Sequence, residues 1–177
     1  KFMEAASKEA YFKNTLFVFI GDHGIQGDVG NMFSNAWTNE LSAEHVPLLF
    51  YAPGILQPKE YGFYASQIDL LPTVAGICKI PYRNSTLGRD LLDTTRIASG
   101  AANNNAVFIL DPNNKRIGVI KGNYYFSYGA GNSSPAQIMS MVDNNKVILN
   151  DSLSKEYKAI TDAFYETARY QLLNNKK

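Results

Sequence analysis

The stretch Thr15-Leu-Phe-Val-Phe-Ile-Gly-Asp-His-Gly24 holds the residues best suited to chemistry. Residues 16–20 are an unbroken apolar run, and Gly21-Asp22-His23-Gly24 follows it directly. A carboxylate oxygen and a neutral imidazole nitrogen are both competent ligands for zinc or manganese. Side chains that are adjacent along a strand diverge, so a pair meant for one ion must sit in a turn. The flanking glycines allow the backbone to leave the strand sharply and bring Asp22 and His23 toward one point. The single cysteine, Cys78, excludes an intrachain disulfide and any CxxC zinc site, and reads as a buried, inert thiol.

The run at 16–20 suits a strand buried on both faces, as in a parallel sheet, although periodicity alone also fits a buried helix segment. In open α/β sheets ligands bind just beyond the carboxyl ends of the strands, where Asp22 and His23 would then lie. Upstream, residues 1–12 carry Phe2, Met3, Ala6 and Ala10 at helical spacing and read as the last turns of an amphipathic helix. Residues 25–44, with scattered Gly, Asn and Ser and no period, read as a long loop near the strand end. Asp28 falls there as a solvated loop acid. Val46-Pro-Leu-Leu-Phe-Tyr-Ala52 reads as a second buried strand, with Pro47 tolerable near its start and Pro53-Gly54 closing it.

Residues 66–78 place Ile68, Leu71, Val74, Ala75 and Cys78 at helical spacing. Pro72 belongs in a first turn, so the helix starts near Asp69, which serves as its capping acid. Residues 79–105 are irregular. Beyond 106 the short runs 107–110, 116–121, 124–128, 138–142 and 147–149, several of them separated by Asp-Pro-Asn-Asn, Lys-Gly-Asn and Asp-Asn-Asn, predict an antiparallel sheet of about four strands. Residues 152–173 predict a closing helix with Tyr157, Ile160, Phe164, Ala168 and Leu172 on the face toward that sheet.

The chain has 177 residues, 45% hydrophobic and 19% charged, with a formal net charge of +1. That is enough for one domain with a real core, and the charge balance gives no support to a nucleic-acid partner or a membrane surface. No run approaches the ~20 apolar residues of a membrane helix, and no signal peptide is visible. The chain begins at Lys1, inside what reads as a helix, so the expectation is a piece of a larger domain.

Four segments occur in a telling order: Asn14 to Gly24; His45-Val-Pro-Leu-Leu-Phe-Tyr-Ala-Pro-Gly54; Ser66-Gln-Ile-Asp-Leu-Leu-Pro-Thr-Val-Ala-Gly76; and Leu87-Gly-Arg-Asp-Leu-Leu92. The series resembles the C-terminal part of a catalytic domain of the sulfatase branch of the alkaline phosphatase superfamily. Its closest look is to lipoteichoic acid synthase-like phosphoglycerol transferases. The resemblance implies an α/β fold with part of a mostly parallel sheet and flanking helices over 1–105, then a small antiparallel sheet and closing helix over 106–177. It implies that Asp22 and His23 are ligands of a divalent metal (Mn, Zn or Ca), and that His45, ahead of the Val-Pro strand, meets the anionic group of the substrate. If the strands ran parallel, however, His45 would stand at the end of its strand opposite the metal pair. Asp69 keeps its structural role.

Family chemistry is displacement at phosphorus or sulfur by a metal-bound Ser, Thr or formylglycine, through a covalent intermediate. Cys78-Lys-Ile-Pro-Tyr-Arg83 has one residue too many for the sulfatase C-x-P-x-R nucleophile motif. The nucleophile and an acidic ligand are therefore expected upstream, in a missing N-terminal half, and the chain alone is expected to be inactive. The implied function is transfer or hydrolysis of an anionic phosphate or sulfate ester outside the cytoplasm, the enzyme tethered to a membrane or periplasmic. Phosphoglycerol transfer is the first expectation; a sulfatase, or a non-catalytic relative keeping the fold, are the alternatives.

Overall fold

A computed structural model describes residues 1–25, 34–37 and 41–174. Asp28 and much of the 25–44 loop lie outside the described residues. Helix α1 (Phe2–Ala6) and a 3-10 turn (Phe12–Asn14) precede strand β1 (Phe17–Ile20). The expected helix over 1–12 is thus a short helix and a separate turn. Phe12 and Phe17 pack ring to ring at 5.4 Å, so the apolar residues of this lead-in do cover the start of β1.

Strand β2 (Leu48–Tyr51) pairs with β1, and the pairing corrects the expected parallel sheet. The two strands run antiparallel, with Phe17 opposite Tyr51 and Ile20 opposite Leu48. An apolar run reports burial and carries no information on strand direction. What sets direction here is the return of the chain to the edge it left: the Gly21 N–H donates to the Pro47 carbonyl (3.3 Å) and the Gly24 N–H to the Ala43 carbonyl (2.6 Å). The faces of this pair are also more open than the sequence suggests. Phe19 and Leu49 are 40% and 54% exposed, and the strands border a cleft of about 1390 Å³.

The next unit is built around one buried carboxylate. Ser66 caps a 3-10 turn (Gln67–Asp69) that runs straight into helix α2 (Leu70–Ile77). The Ser66 side chain accepts from the Asp69 N–H while the Ser66 N–H donates to Asp69 Oδ2 at 2.9 Å, a reciprocal capping box. Asp69 is 0% exposed. Arg89 approaches it along the chain and from the side chain: the backbone N–H donates to Oδ1 at 2.8 Å, Nε to Oδ1 at 3.3 Å and Nη2 to Oδ2 at 3.2 Å. Thr73, also fully buried, donates to the Asp69 carbonyl and accepts from the Leu91 N–H. The Leu87–Leu92 segment is therefore strapped along α2. In the region expected to be irregular, a short helix α3 (Thr94–Ala98) is capped by Asp93, which accepts from the Thr95 and Arg96 N–H groups.

The expected antiparallel sheet is present with four strands: β3 (Ala106–Asp111), β4 (Arg116–Lys121), β5 (Tyr124–Gly129) and β6 (Gln137–Ser140), in that order. The run at 147–149 is not a strand. Helix α4 (Asp151–Asn174) covers one face, burying Tyr157 with Ile117, Val119 and Phe126. The Tyr157 hydroxyl donates to the Lys121 carbonyl, and the Tyr128 hydroxyl to Asp162. Burial first, and then this bond to a carboxylate, push the Tyr128 hydroxyl pKa up. Ala168 and Leu172 do not reach the sheet and are exposed. The other face packs Val107, Ile109, Ile120 and Tyr125 against Ala36, Leu41 and Met141.

Cys78 ends α2 and is exposed, which corrects the expectation of a buried thiol. The helical spacing places it at the C-cap, where the chain turns away through Lys79 at φ 53°. Two outcomes follow. In the native chain Cys78 should react fully with a disulfide reagent such as DTNB without denaturant; protection until unfolding would restore the buried reading. Asp69→Ala should cost about 3–5 kcal/mol in urea unfolding, because Arg89 would lose its buried counter-charge. A loss below about 1 kcal/mol would show that the Asp69–Arg89 contact behaves as an ordinary surface ion pair.

Candidate functional site

Asp22 and His23 lie immediately beyond the carboxyl end of β1, and the turn brings their side chains together. His23 Nε2 stands 3.7 Å from Asp22 Oδ2. The His23 N–H donates to Asp22 Oδ1 at 2.9 Å, and His23 Nδ1 lies 2.8 Å from the Gly24 carbonyl oxygen. A carbonyl can only accept, so Nδ1 carries the proton and, in the neutral ring, Nε2 presents its lone pair toward Asp22. Both side chains are open to solvent, with 90% of Asp22 and 76% of His23 exposed.

The glycines around the pair serve a different purpose from the one expected. Neither has a positive φ. Each is a point of close approach instead: a Cβ on Gly21 would meet Val46 Cβ at 2.8 Å, and a Cβ on Gly24 would meet the Ser42 carbonyl oxygen at 2.2 Å. The Ser42–Pro47 segment thus presses on the turn from one side. On the other side Gln67 Nε2 donates to the carbonyls of Gly21 (2.8 Å) and Asp22 (3.1 Å). Gln67 was not singled out by its sequence context. Its partners are 46 and 45 residues away, and no local pattern encodes such a bond.

His45 benefits from the antiparallel pairing. Because Ile20 faces Leu48, the residues entering β2 stand at the same end of the pair as those leaving β1. The objection that His45 would lie at the far end falls with the parallel arrangement. His45 packs against Trp37 with ring centroids 4.7 Å apart, and it lines the large cleft together with Asp22, Glu44 and Gln67. That cleft, at about 1390 Å³, exceeds the roughly 300–1,000 Å³ of ordinary ligand pockets, and is an open trough along the strands.

The donor set fits a divalent ion in kind. A carboxylate oxygen and an imidazole nitrogen 3.7 Å apart can both reach one ion at about 2.0–2.2 Å. Among the described residues no cluster of three or more His, Cys, Asp or Glu side chains stands ready to complete the shell. Asp22 and His23 alone offer two donors there.

Its electrostatics give a direct check. The backbone N–H of His23, then that of Asp22 itself, and then the His23 ring lower the Asp22 pKa. The Gly24 carbonyl, and then Asp22, raise that of His23 above 6.5. A raised histidine stabilises the fold below its unfolded value and loses that contribution as pH rises through its folded value; a depressed carboxyl stabilises above 3.8 and loses as pH falls through its own. The pair's mutual support is therefore complete between these two ordinary values. By NMR, His23 should titrate above 6.5, and Asp22→Asn should lower the midpoint; a midpoint at or below 6.5 in the parent would contradict the geometry.

The sulfatase family model matches residues 1–80. The chain is 32% identical over 80 residues to arylsulfatase K of Gallus gallus and 31% identical over 97 residues to an arylsulfatase of Clostridium perfringens. These matches span 45% and 52% of the chain but only 15% and 20% of the relatives. In fold, the chain superposes over 96% of its length on 39% of an alkaline phosphatase superfamily protein from Vibrio parahaemolyticus, with a TM-score of 0.68 at 18% identity. The named relatives are arylsulfatases, and none of them is a lipoteichoic acid synthase. Residues 1–80 are thus similar to the sulfatase family, and the chain shares its fold with part of that alkaline phosphatase superfamily protein.

Proposed function

We propose that this chain supplies the Asp-His half of the active site of a divalent-metal-assisted hydrolase of sulfate esters. The observation that carries the reading is the Asp22–His23 pair, 3.7 Å apart at the strand end, inside the segment that matches the sulfatase family model. The arylsulfatase relatives favour sulfate over phosphate esters as the substrate. Phosphoglycerol transfer, the reading suggested by the look of the four motifs, rests on those motifs alone. The nucleophile and the remaining ligands belong in this proposal to sequence outside the chain, because the chain spans well under half of the relatives it matches.

In the chemistry proposed, Asp22 and His23 would hold the ion, His23 through Nε2, with Nδ1–H kept on the Gly24 carbonyl. A bound divalent ion would lower the pKa of an attacking hydroxyl and neutralise charge on the ester oxygens. His45, at the same end of the strand pair, offers a proton or a hydrogen bond to the anionic group. In this reading the enzyme acts outside the cytoplasm; among the described residues no helix is long and apolar enough to cross a membrane.

The test is turnover of p-nitrophenyl sulfate and p-nitrophenyl phosphate, and phosphoglycerol release from a lipid donor, with added manganese, zinc or calcium. In the protein that includes the upstream segment, sulfate turnover should exceed the other two, and Asp22→Ala should lower it by about a thousandfold, some 4 kcal/mol of barrier. Cys78→Ala should leave it nearly intact, and His45→Gln should raise KM or lower kcat without changing metal content. The 177-residue chain alone should give no turnover above the metal-only blank. Phosphoglycerol release that exceeds sulfate turnover would move the assignment to the transferases. Full activity in Asp22→Ala, after correction for the folded fraction, would end the metal-ligand reading.

A further inference from the structure

We infer that Gln67 is a positioning residue for the Asp22–His23 pair, its side-chain amide holding the turn in the shape that lets both donors face one ion. The inference rests on the metal-ligand reading proposed above. Gln67 Nε2 donates to the Gly21 carbonyl at 2.8 Å and to the Asp22 carbonyl at 3.1 Å. Both partners can only accept, so the amide must present its NH₂ group there. Gripping the carbonyls of two successive residues fixes the peptide planes on either side of the Asp22 Cα, and with them the direction of its carboxylate. Asp22 needs that help, because the polar contacts of its carboxylate are all local, with its own N–H and with the N–H and ring of His23.

The base from which Gln67 reaches is rigid. It is the first residue of the 3-10 turn whose two ends, Ser66 and Asp69, are locked by the reciprocal capping box. Asp69 is in turn fully buried and held by three donors of Arg89. A mobile loop residue making the same two bonds would follow the turn; this one anchors it. The bonds themselves are at the surface, where a hydrogen bond is a small contributor to folding. Losing them should therefore leave stability alone and change ligand geometry, which separates positioning from a merely structural role.

The measurement is a Mn²⁺ titration of the chain, read by paramagnetic broadening of the imidazole resonances. The chain has two histidines, and His23→Gln assigns the lines. In the parent, Mn²⁺ should broaden the His23 line, and Asp22→Asn should abolish this at the same concentrations. Gln67→Met keeps the length and removes the donor. It should require about tenfold more Mn²⁺ for half-broadening, at an unchanged urea midpoint. Should Gln67→Met not fold, Gln67→Glu removes the donor as well and serves instead. An unchanged Mn²⁺ requirement in the Gln67 variant, with Asp22→Asn still impaired, would overturn the positioning role and leave the metal pair standing. Broadening that ignores Asp22→Asn would overturn the metal pair, and the role of Gln67 with it.

Discussion

Asp69 is the carboxylate on which the site-bearing part of the structure depends. A buried charge without partners would cost several kcal/mol, so its surroundings must converge on it. They do so from two directions in sequence: Ser66 from the turn before α2, and Arg89 from the strap that returns along the helix. One side chain therefore fixes where α2 begins, where Leu87–Leu92 lies, and the orientation of Gln67. Through Gln67 it also reaches the turn that carries Asp22 and His23. Asp69 does no chemistry itself. It makes the frame stiff enough for exposed side chains to hold a geometry.

The second constraint is the direction of β2. An antiparallel partner for β1 places the exit of one strand and the entry of the other side by side, so a single strand pair presents Asp22, His23 and His45 at one end. A parallel partner would have separated them by the length of the strand. The same pairing explains why Gly21 and Gly24 have no side chain. The returning segment Ser42–Pro47 packs so closely that a Cβ at either position would overlap it.

Much of this was legible in the sequence. The four-stranded sheet, its turn-bounded strands and the covering helix announce themselves through turn residues and through Tyr157, Ile160 and Phe164 at helical spacing, because local chemistry sets those features. The closeness of Asp22 and His23 was legible for the same reason: two polar residues in a turn after an apolar run. Strand direction was not legible, since five apolar residues look alike in either orientation. The exposure of Cys78 was missed because helical spacing counts faces and does not know where the helix stops being covered. Gln67 and Arg89 act across tens of residues, and their roles exist only once the chain has folded back on itself.

The exposure of the Asp22–His23 pair bears on how it would function. Local backbone bonds already hold it: the His23 N–H on the carboxylate, and Nδ1–H on the Gly24 carbonyl. The ring is thus set in one tautomer before any ligand arrives, with Nε2 turned toward Asp22 Oδ2. That lone pair is where a proton binds when His23 is charged, and it is also where a cation would bind. The Gly24 carbonyl and the Asp22 carboxylate raise the affinity for the proton, and by the same electrostatics they favour a divalent cation, which carries twice the charge. A site that is weakly basic in water becomes a strong one only when further carboxylates join it and water is excluded. In the function proposed, this exposed pair at the rim of an open trough would form one side of a shared metal centre, its geometry set before the ion arrives.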